Sequence, residues 1–337
     1  MGHNVAVFGA YGHTGRFVVT ELRERGFGAL PVGRDARQLD AFGLPYRVAS
    51  ASDPASLDAA LTGVDAVINC AGPFASTAAG VIEAALRAGI PYVDVAAEIE
   101  ANVDTFTHYT ERARAAGVAV VPAMAFFGGL GDLLATTAMG DWTSADEAHV
   151  AYGLSSWHPT AGTVAAGAVS RERRAGRRVR YTGGRLEYHS GERDLPRSDW
   201  DFPAPLGRHN VLGDFTMADI VTIPRHLAIP EVRTYMTVDA ATDLVAGNAP
   251  VAVDERGRSA QTFMVDVIVR RGDTHRRVVA SGRDIYAVSA PLAVEAVQRI
   301  LNGQSRTSGV ASAGEMFDAP DFLRALSPVI SVETVRD

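Results

Sequence analysis

The feature that most constrains the fold is a loop with three glycines close to the start of the chain. Gly9, Gly12 and Gly15 come directly after an apolar run at residues 5–8 and open a segment with helical spacing. In such a strand, turn and helix, the glycines let the backbone approach a pyrophosphate, and the helix N-terminus supplies N–H donors. The spacing Gly-x-x-Gly-x-x-Gly differs from the Gly-x-Gly-x-x-Gly of NAD dehydrogenases. We predict a dinucleotide site with contacts from Gly9, Tyr11, Gly12, His13, Thr14 and Gly15.

Short apolar segments alternate with helical segments through the first 125 residues. Strands are predicted at residues 5–8, 29–32, 66–68, 92–95 and 118–121, and helices at 14–25, 56–61, 78–88 and 103–115. Short apolar strands that alternate with helices are typical of a parallel sheet covered on both faces. We therefore predict an α/β fold of the Rossmann type, with a doubly wound parallel sheet.

The pattern changes after about residue 140, and at about 150 residues per domain the 337 residues allow a second domain or a large insertion. A stretch at residues 191–210, rich in Asp, Pro, Gly and Arg, is predicted to be a loop or a lid. Several strands are predicted close together after residue 140, which favours a mainly antiparallel sheet with one solvated face, within an α+β domain. The predicted strands are 148–154, 178–181, 185–189, 232–238, 261–270 and 276–281, and the predicted helices are 163–174 and 291–301.

The end of the second predicted strand bears on the choice between NAD and NADP. An acidic residue there would bind the ribose 2′-hydroxyl. Here the strand ends at Gly33 and is followed by Arg34 and Asp35. A guanidinium suits a 2′-phosphate through a bidentate, charge-assisted contact, which Arg37 could assist. The alternative is that Arg34 is a solvated loop residue and that Asp35 binds the ribose. We predict NADP(H), with Gly33 and Arg34 in the site.

The loop after the fourth strand also lies where a doubly wound sheet binds ligands. It contains Cys70, Ala71, Gly72, Pro73 and Phe74. The Gly-Pro pair forms a rigid turn without bulk, past which a nicotinamide ribose fits, and the phenylalanine can pack against the ring. The cysteine is interpreted as a small hydrophobe rather than a nucleophile.

Two further segments follow the next strands. Asp94 and Glu98 come after the fifth strand and either orient substrate or hold a loop. Residues 122–132 form a second glycine-rich, apolar loop that leads into a helix and could carry substrate and carboxamide contacts. Both segments belong to the carboxyl edge of the predicted sheet, where ligands bind.

The basic residues exclude several chemistries, because all 32 of them are arginine and the chain has no lysine. A lysine Schiff base, a Walker A lysine and a Tyr/Lys proton-transfer pair of the short-chain dehydrogenase type are therefore excluded. The net charge of −7 argues against nucleic acid and anionic membranes as partners. A single cysteine excludes an internal disulfide and a cysteine-rich zinc site, and we predict no metal. Without a membrane span or targeting segment, the protein is expected to be soluble and cytoplasmic.

These motifs resemble the saccharopine dehydrogenase-like oxidoreductases, and in particular the branch that includes the trans-acting enoyl reductases of mycobacterial lipid synthesis. The resemblance covers most of the chain, with the strongest motifs in the N-terminal third. It is carried by residues 9–15 and 32–34, by 69–74, 87–89, 92–94 and Glu98, by 155–163, 223–226 and 230–235, and by the Gly282-x-Asp284-x-Tyr286 pattern with 309–310, 317–318 and 322–326.

The resemblance implies a Rossmann domain interrupted by a β-rich domain. Residues 1–140 with 284–337 would form the NADP-binding domain, and residues 141–283 an inserted α+β substrate and dimerisation domain. It also implies NADP(H) as cofactor and a homodimer formed through the second sheet. Saccharopine dehydrogenases recognise an amino-acid adduct, and their proposed acid–base groups include a lysine, which this chain cannot supply.

The predicted function is an NADPH-dependent reductase that transfers hydride to an activated C=C or C=N of a small, fairly apolar substrate. Without lysine, the candidate proton donors are Tyr286, His158 and Tyr152, each of which could instead be a packing or loop residue. Three alternatives remain open: a non-catalytic NADP-binding redox sensor or regulator, a saccharopine-type C–N dehydrogenase, and oxidation in the reverse direction.

Overall fold

A computed structural model describes residues 2–190 and 195–335 of the chain. Its strands are β1 Asn4–Phe8, β2 Gly28–Gly33, β3 Arg47–Val48, β4 Ala66–Asn69, β5 Tyr92–Asp94, β6 Ala119–Val121, β7 Glu147–Leu154, β8 Arg178–Thr182, β9 Arg185–His189, β10 Arg197–Asp201, β11 Arg208–Gly213, β12 Glu231–Thr237, β13 Thr262–Arg271, β14 Thr274–Arg283, β15 Gly309–Val310 and β16 Ile330–Val335. Its α-helices are α1 His13–Glu24, α2 Ala36–Asp40, α3 Pro54–Leu61, α4 Phe74–Ala88, α5 Ile99–Ala116, α6 Gly131–Met139, α7 Ala161–Arg173, α8 Asp219–Thr222, α9 Val238–Ala246, α10 Ser289–Leu301, α11 Ala313–Met316 and α12 Ala319–Ala325.

The first sheet is parallel throughout and, within the described residues, has seven strands in the order β15-β6-β5-β4-β1-β2-β3. Strand β1 lies between β2 and β4, so successive strands are added on one side of β1 and then on the other. Ligands of open α/β sheets bind beyond the carboxyl ends of the strands at this point of reversal. The predicted doubly wound parallel sheet is confirmed, and the glycine loop after β1 lies at the reversal.

The core around this sheet is formed by its apolar strands and by helices that are apolar on one face. Val5, Ala6 and Val7 in β1 are completely buried, as expected for a strand covered by helices on both faces. Helix α1 buries Val18 and Leu22. The late helix α10 packs against α1, so the chain returns to the first sheet after the second domain.

The second sheet is mixed and mainly antiparallel, as predicted. Within the described part of the chain its main path is β10-β11-β12-β7-β13-β14-β16, and β8 and β9 branch from β12. Strands β7 and β12 are parallel, whereas β13 pairs antiparallel with both β7 and β14.

The prediction of a loop or lid at residues 191–210 is wrong for its central part. Strand β10 at Arg197–Asp201 pairs antiparallel with β11. Most of β10 is exposed, so it lacks the apolar alternation that identifies a strand, and its partner strand supplies the order instead. Residues 191–194 lie outside the described residues.

The C-terminus differs from the predicted domain division. Strand β15 pairs with β6 in the first sheet, but β16 pairs with β14 in the second sheet. Residues 330–335 therefore extend the second sheet, because the outer edge of β14 accepts a further strand and buries Ile330. The other predicted domain boundaries stay a prediction. Among the described helices, none has both the length and the apolar character to cross a membrane.

Candidate functional site

A large cavity of about 1710 Å³ lies at the carboxyl ends of the first sheet. The loops after β1, β2 and β4 form one part of its wall, and α7 forms another. Residues 214–217, part of α9, the turn before α10 and the loops after β5, β6 and β7 also line it. The cavity therefore joins the predicted dinucleotide site to the second domain.

The glycine loop has the geometry of a phosphate cradle. Gly9 has φ +82°, and a Cβ there would lie 2.8 Å from the Cβ of Ala71, so the loops after β1 and β4 touch. A Cβ on Gly15 would collide with the carbonyl oxygen of Gly9. Gly12 precedes α1 and supplies no side-chain cap, and Gly12, His13 and Thr14 line the cavity. The first-turn N–H groups of α1 therefore suit a pyrophosphate.

Arg34 and Asp35, at the end of β2, differ in the partners of their side chains. The Asp35 carboxylate caps α2, accepting hydrogen bonds from the N–H groups of Arg37 (2.9 Å) and Gln38 (3.4 Å). Hydrogen bonds, first from the Gln38 side chain, hold the pKa of Asp35 below its ordinary value. Arg34 lines the cavity, and within the described residues its guanidinium has no hydrogen bond or ion pair. The geometry therefore favours Arg34 as the ligand of a 2′-phosphate.

Tyr11 and Gly33 support this corner of the cavity. The Tyr11 hydroxyl accepts a hydrogen bond from the backbone N–H of Arg34 at 3.3 Å. A Cβ on Gly33 would lie 2.6 Å from Cε1 of Tyr11, so the glycine makes room for the ring. The two residues therefore position the Arg34 backbone.

The loop after β4 brings Cys70, Ala71, Gly72 and Phe74 to the cavity wall. Pro73 precedes α4 and occupies its N-cap position, outside the wall that the described residues form. Burial, and then the charge of Asp94, raise the pKa of the Cys70 thiol. The thiol therefore stays protonated at neutral pH, in agreement with its interpretation as a small apolar group.

The carboxylates of Asp94, at the end of β5, and of Glu98 accept hydrogen bonds from backbone N–H groups. Glu98 lines the cavity and accepts hydrogen bonds from the N–H groups of Phe74 (2.6 Å) and Ala75 (3.2 Å), so it caps α4 across the cavity wall. Burial raises the pKa of Glu98. Asp94 is buried, and its carboxylate accepts from the Tyr92 hydroxyl (2.8 Å) and the Ala123 N–H (2.8 Å). Burial raises the pKa of Asp94 to about 6.

Of the three proposed proton donors, Tyr286 is part of the cavity wall. Its hydroxyl accepts hydrogen bonds from Trp157 Nε1 (3.2 Å) and the Thr160 N–H (3.3 Å), and lies 3.0 Å from Thr163 Oγ1. Burial raises the pKa of this phenol. The His13 ring lies 5.2 Å from the Tyr286 ring, so the glycine loop and the tyrosine are in contact.

Tyr152 and His158 lie elsewhere. Tyr152 is completely buried, and its hydroxyl donates to Oδ1 of Asp219 at 2.7 Å. Neither it nor the half-buried His158 belongs to the cavity wall formed by residues 2–190 and 195–335. His158 instead offers its carbonyl oxygen to the Tyr286 hydroxyl at 3.4 Å. The structure thus places one of the three candidate donors beside the cofactor loop.

The N-terminal third of the chain matches a known domain. Residues 5–121 match the family described as the saccharopine dehydrogenase NADP-binding domain. Residues 5–121 are therefore an NADP-binding domain of the saccharopine dehydrogenase type, and the chain is an NADP-dependent oxidoreductase. The glycine loop, Arg34 and the loop after β4 fit NADP(H), its cofactor.

One of the solved structures shares the fold over nearly the whole chain. The apo, histidine-tagged saccharopine dehydrogenase (L-Glu forming) from Saccharomyces cerevisiae is 13% identical, with 99% of this chain and 100% of that chain covered and a TM-score of 0.66. A triphenylmethane reductase from Citrobacter sp. is 23% identical over 35% of this chain and 47% of that chain, with a TM-score of 0.30. An NADP complex of a short-chain dehydrogenase/reductase from Veillonella parvula is 20% identical over 29% and 48%, with a TM-score of 0.25. The comparison with curated proteins finds no match.

Two elements of the oxidoreductase site were missed from the sequence. Thr160 and Thr163 begin α7 and contact Tyr286, but they are separated from it by more than a hundred residues of sequence. Asp284 holds the turn before α10, accepting from the N–H groups of Tyr286 (3.0 Å) and Ser259 (2.6 Å) with φ +57°. The Gly-x-Asp-x-Tyr spacing was the available signal, because aspartate two residues before an N–H donor is typical of an Asx turn.

Proposed function

We propose that this oxidoreductase is an NADPH-dependent reductase of an activated C=C or C=N bond in a small, fairly apolar substrate. The observation that carries the proposal is an aromatic row that leads from the cofactor loops into the second domain. Phe126 and Phe127 have ring centroids 4.8 Å apart, Phe127 and Trp157 5.2 Å, and Trp157 and Phe215 6.0 Å. All four rings line the cavity, so an apolar substrate finds an apolar wall beside the cofactor site.

The chain's own residues would bind and orient the cofactor, which supplies the hydride when bound. The α1 N-terminus and Gly12 would hold the pyrophosphate, and Arg34 the 2′-phosphate. The loop from Cys70 to Phe74 would support the nicotinamide half, because it follows β4, which lies next to β1 on the side opposite β2 and Arg34. These positions leave the aromatic row free for the substrate.

Tyr286 is the proposed proton donor. Its phenol is protonated at neutral pH, because burial raises its pKa. Two N–H groups already donate to the oxygen, so the tyrosine's own hydrogen is directed to Thr163, to the His158 carbonyl or to a substrate in the cavity. The proton would pass from the Tyr286 oxygen to the atom next to the reduced carbon, and water would then reprotonate the phenolate.

A saccharopine-type C–N dehydrogenase is the second candidate. It is favoured by the fold shared with the yeast saccharopine dehydrogenase over 99% of this chain. Such chemistry here would have to proceed without lysine, since the sequence contains none. The cavity would then bind an amino-acid adduct rather than an apolar molecule.

The two candidates are tested by following NADPH oxidation with an apolar enone, an α,β-unsaturated thioester and a cyclic imine, and NADP⁺ reduction with saccharopine. Turnover of the first group supports the reductase, and turnover of saccharopine alone supports the dehydrogenase. Tight NADPH binding with no turnover over the whole panel would contradict both and favour a redox sensor. The Gly12→Val variant serves as the control that lacks a cofactor site.

The enoyl reductase branch and the homodimer are also proposals. A preference for the unsaturated thioester over the imine would support that branch. The mass of the protein in solution, measured by light scattering, tests the homodimer, which a monomeric mass would contradict.

A further inference from the structure

We propose that the substrate carries an anionic group, a carboxylate or a phosphate, and that an arginine cluster on the cavity wall binds it. The cluster consists of Arg171, Arg174 and Arg177. The proposal rests on the proposed function for the bond that is reduced, but binding of the anionic group can be measured without turnover.

The chain gathers the cluster at the end of α7. Helix α7 ends at Arg173, and β8 begins at Arg178. Between them, Ala175 (φ +50°) and Gly176 (φ +72°) reverse the chain in left-handed conformations. All three arginines then line the cavity, together with the acidic residues Glu172 and Asp214. The turn therefore brings arginines from both sides of it to the cavity wall.

Arg173 and Arg180 form ion pairs outside the cavity, whereas Arg171 faces it. Arg173 binds Asp104 at 2.8 Å, and Arg180 binds Glu187 at 2.7 Å; neither lines the cavity wall formed by the described residues. Arg171 lines the wall and is exposed, and its guanidinium has no hydrogen bond or ion pair within residues 2–190 and 195–335. Its donors are therefore available on the cavity side.

Two further members of the cluster keep donor capacity. Arg174 Nε is buried and lacks a hydrogen bond among the described residues, although Glu100 Oε1 lies 3.5 Å away. Arg177 donates through Nε to the Arg174 carbonyl oxygen at 3.2 Å, and its guanidinium stacks over the Tyr188 ring. A planar guanidinium held in this way can still offer its remaining N–H groups to a carboxylate or a phosphate.

The cluster lies on the substrate side of the cofactor site. Helix α7 packs against α4 and α5, which follow β4 and β5 on one side of β1. Arg34, at the end of β2, is on the other side of β1. The 2′-phosphate ligand and the cluster therefore belong to opposite ends of the cavity, and the cluster is available to the substrate.

Apolar side chains line the cavity beyond the cofactor loops. The aromatic row ends at Phe215, and Leu212 and Met217 line the cavity near it in sequence. A cavity that combines an apolar wall with a cationic cluster complements a molecule with an apolar body and an anionic end. This chemistry narrows the substrate class from any small apolar molecule to an amphipathic acid or phosphate ester.

The test measures binding of three probes, decanoate, decyl phosphate and decan-1-ol, to the NADPH-loaded protein by calorimetry. Arg171→Gln is compared with Arg173→Gln, a matched control on the same helix whose guanidinium pairs with Asp104. We expect Arg171→Gln to weaken at least one anionic probe about fivefold, with decan-1-ol and NADPH affinity unchanged and Arg173→Gln like the wild type. Added salt should weaken the anionic probe and not the alcohol.

The proposal is overturned if neither anionic probe binds the wild type, or if Arg171→Gln and Arg173→Gln bind them equally well. It is also overturned if Arg171→Gln weakens NADPH instead, because the cluster would then belong to the cofactor site. The stronger of the two anionic probes identifies carboxylate or phosphate as the preferred group. Failure to reduce any enone or imine would contradict the proposed function and leave these binding results intact.

Discussion

The hydroxyl of Tyr286 lies 3.0 Å from Oγ1 of Thr163, although the two residues are 123 positions apart in the sequence. This hydrogen bond links the start of α7 to the turn that precedes α10. Among the residues of α7, all of which the structure describes, Ser170 alone is buried, so the helix has little packing of its own to hold it. The Tyr286 ring also contacts His13 in the glycine loop. The cofactor loop and the helix that carries the arginine cluster therefore meet at one side chain.

Replacing Tyr286 with phenylalanine should affect both stability and turnover. The Trp157 Nε1–H and the Thr160 N–H would lose their acceptor, which costs about 1–3 kcal/mol. Loss of the proposed proton donor should lower kcat about a hundredfold or more with the enone or imine that the wild type reduces. Thermal unfolding and steady-state kinetics measure the two effects.

Thr163→Val is the control for this variant, because it removes one partner and keeps the phenol. We expect Thr163→Val to destabilise the protein less than Tyr286→Phe does and to retain most of the wild-type kcat. If Tyr286→Phe kept the wild-type kcat, the proton would come from another group or from water.

Arg34→Ala should weaken NADPH binding about tenfold to a hundredfold and leave NADH binding nearly unchanged. The reason is that the Arg34 guanidinium at the end of β2 has no hydrogen bond or ion pair to any described residue, whereas Asp35 caps α2. Fluorescence titration with both cofactors measures the difference. Arg23→Ala, at the far end of α1, is the matched control and should bind both cofactors like the wild type. Equal losses for NADPH and NADH would contradict the 2′-phosphate assignment.

Gly12→Val should abolish binding of both cofactors while the protein stays folded. The nearest atoms to a Cβ at Gly12 are the carbonyl oxygens of Gly9 (3.1 Å) and Cys70 (4.0 Å), so a valine side chain would extend into the cavity where the pyrophosphate approaches. Circular dichroism checks the fold and titration checks the binding. Retained affinity in a folded variant would mean that the loop is not the phosphate cradle.

The His226–Asp132 pair should make stability depend on pH. The His226 Nε2 lies 2.7 Å from Oδ1 of the completely buried Asp132, which also accepts the Gly314 N–H at 2.7 Å. Burial alone would lower the pKa of His226, but the charge and hydrogen bond of Asp132, with a smaller effect of Glu315, raise it. The pair therefore contributes fully below the ordinary histidine pKa of about 6.5, and this contribution is lost as pH rises through the folded-state pKa.

The measurement is the free energy of unfolding of the wild type and of His226→Gln across this pH range. We expect the variant to be less stable by about 2 kcal/mol at acidic pH, with a smaller difference at alkaline pH. His108→Gln, at an exposed histidine, should track the wild type. A difference that grows with pH would have the wrong sign and would contradict the ion pair.

Helix α4 illustrates the limit of prediction from sequence. Its spacing predicted a start at residue 78, but the helix begins at Phe74. The additional turn is capped by Glu98, which accepts the N–H groups of Phe74 and Ala75 from a position 24 and 23 residues further along the chain. The local spacing of apolar residues does not reveal a cap supplied by a distant segment, and the predicted start of α4 was therefore wrong.

The sequence by itself determined the parallel sheet, the glycine loop, the position of Arg34 and the excluded lysine chemistries. These depend on residue identity and on neighbours within one strand, turn and helix, where sterics and hydrophobic spacing act over short distances. The tertiary structure alone decided that Asp35 is a helix cap, that Tyr286 and not Tyr152 reaches the cavity, and which arginines face it. Each of these depends on packing between segments far apart in the chain, because a side chain's partner is set by the fold that brings it there.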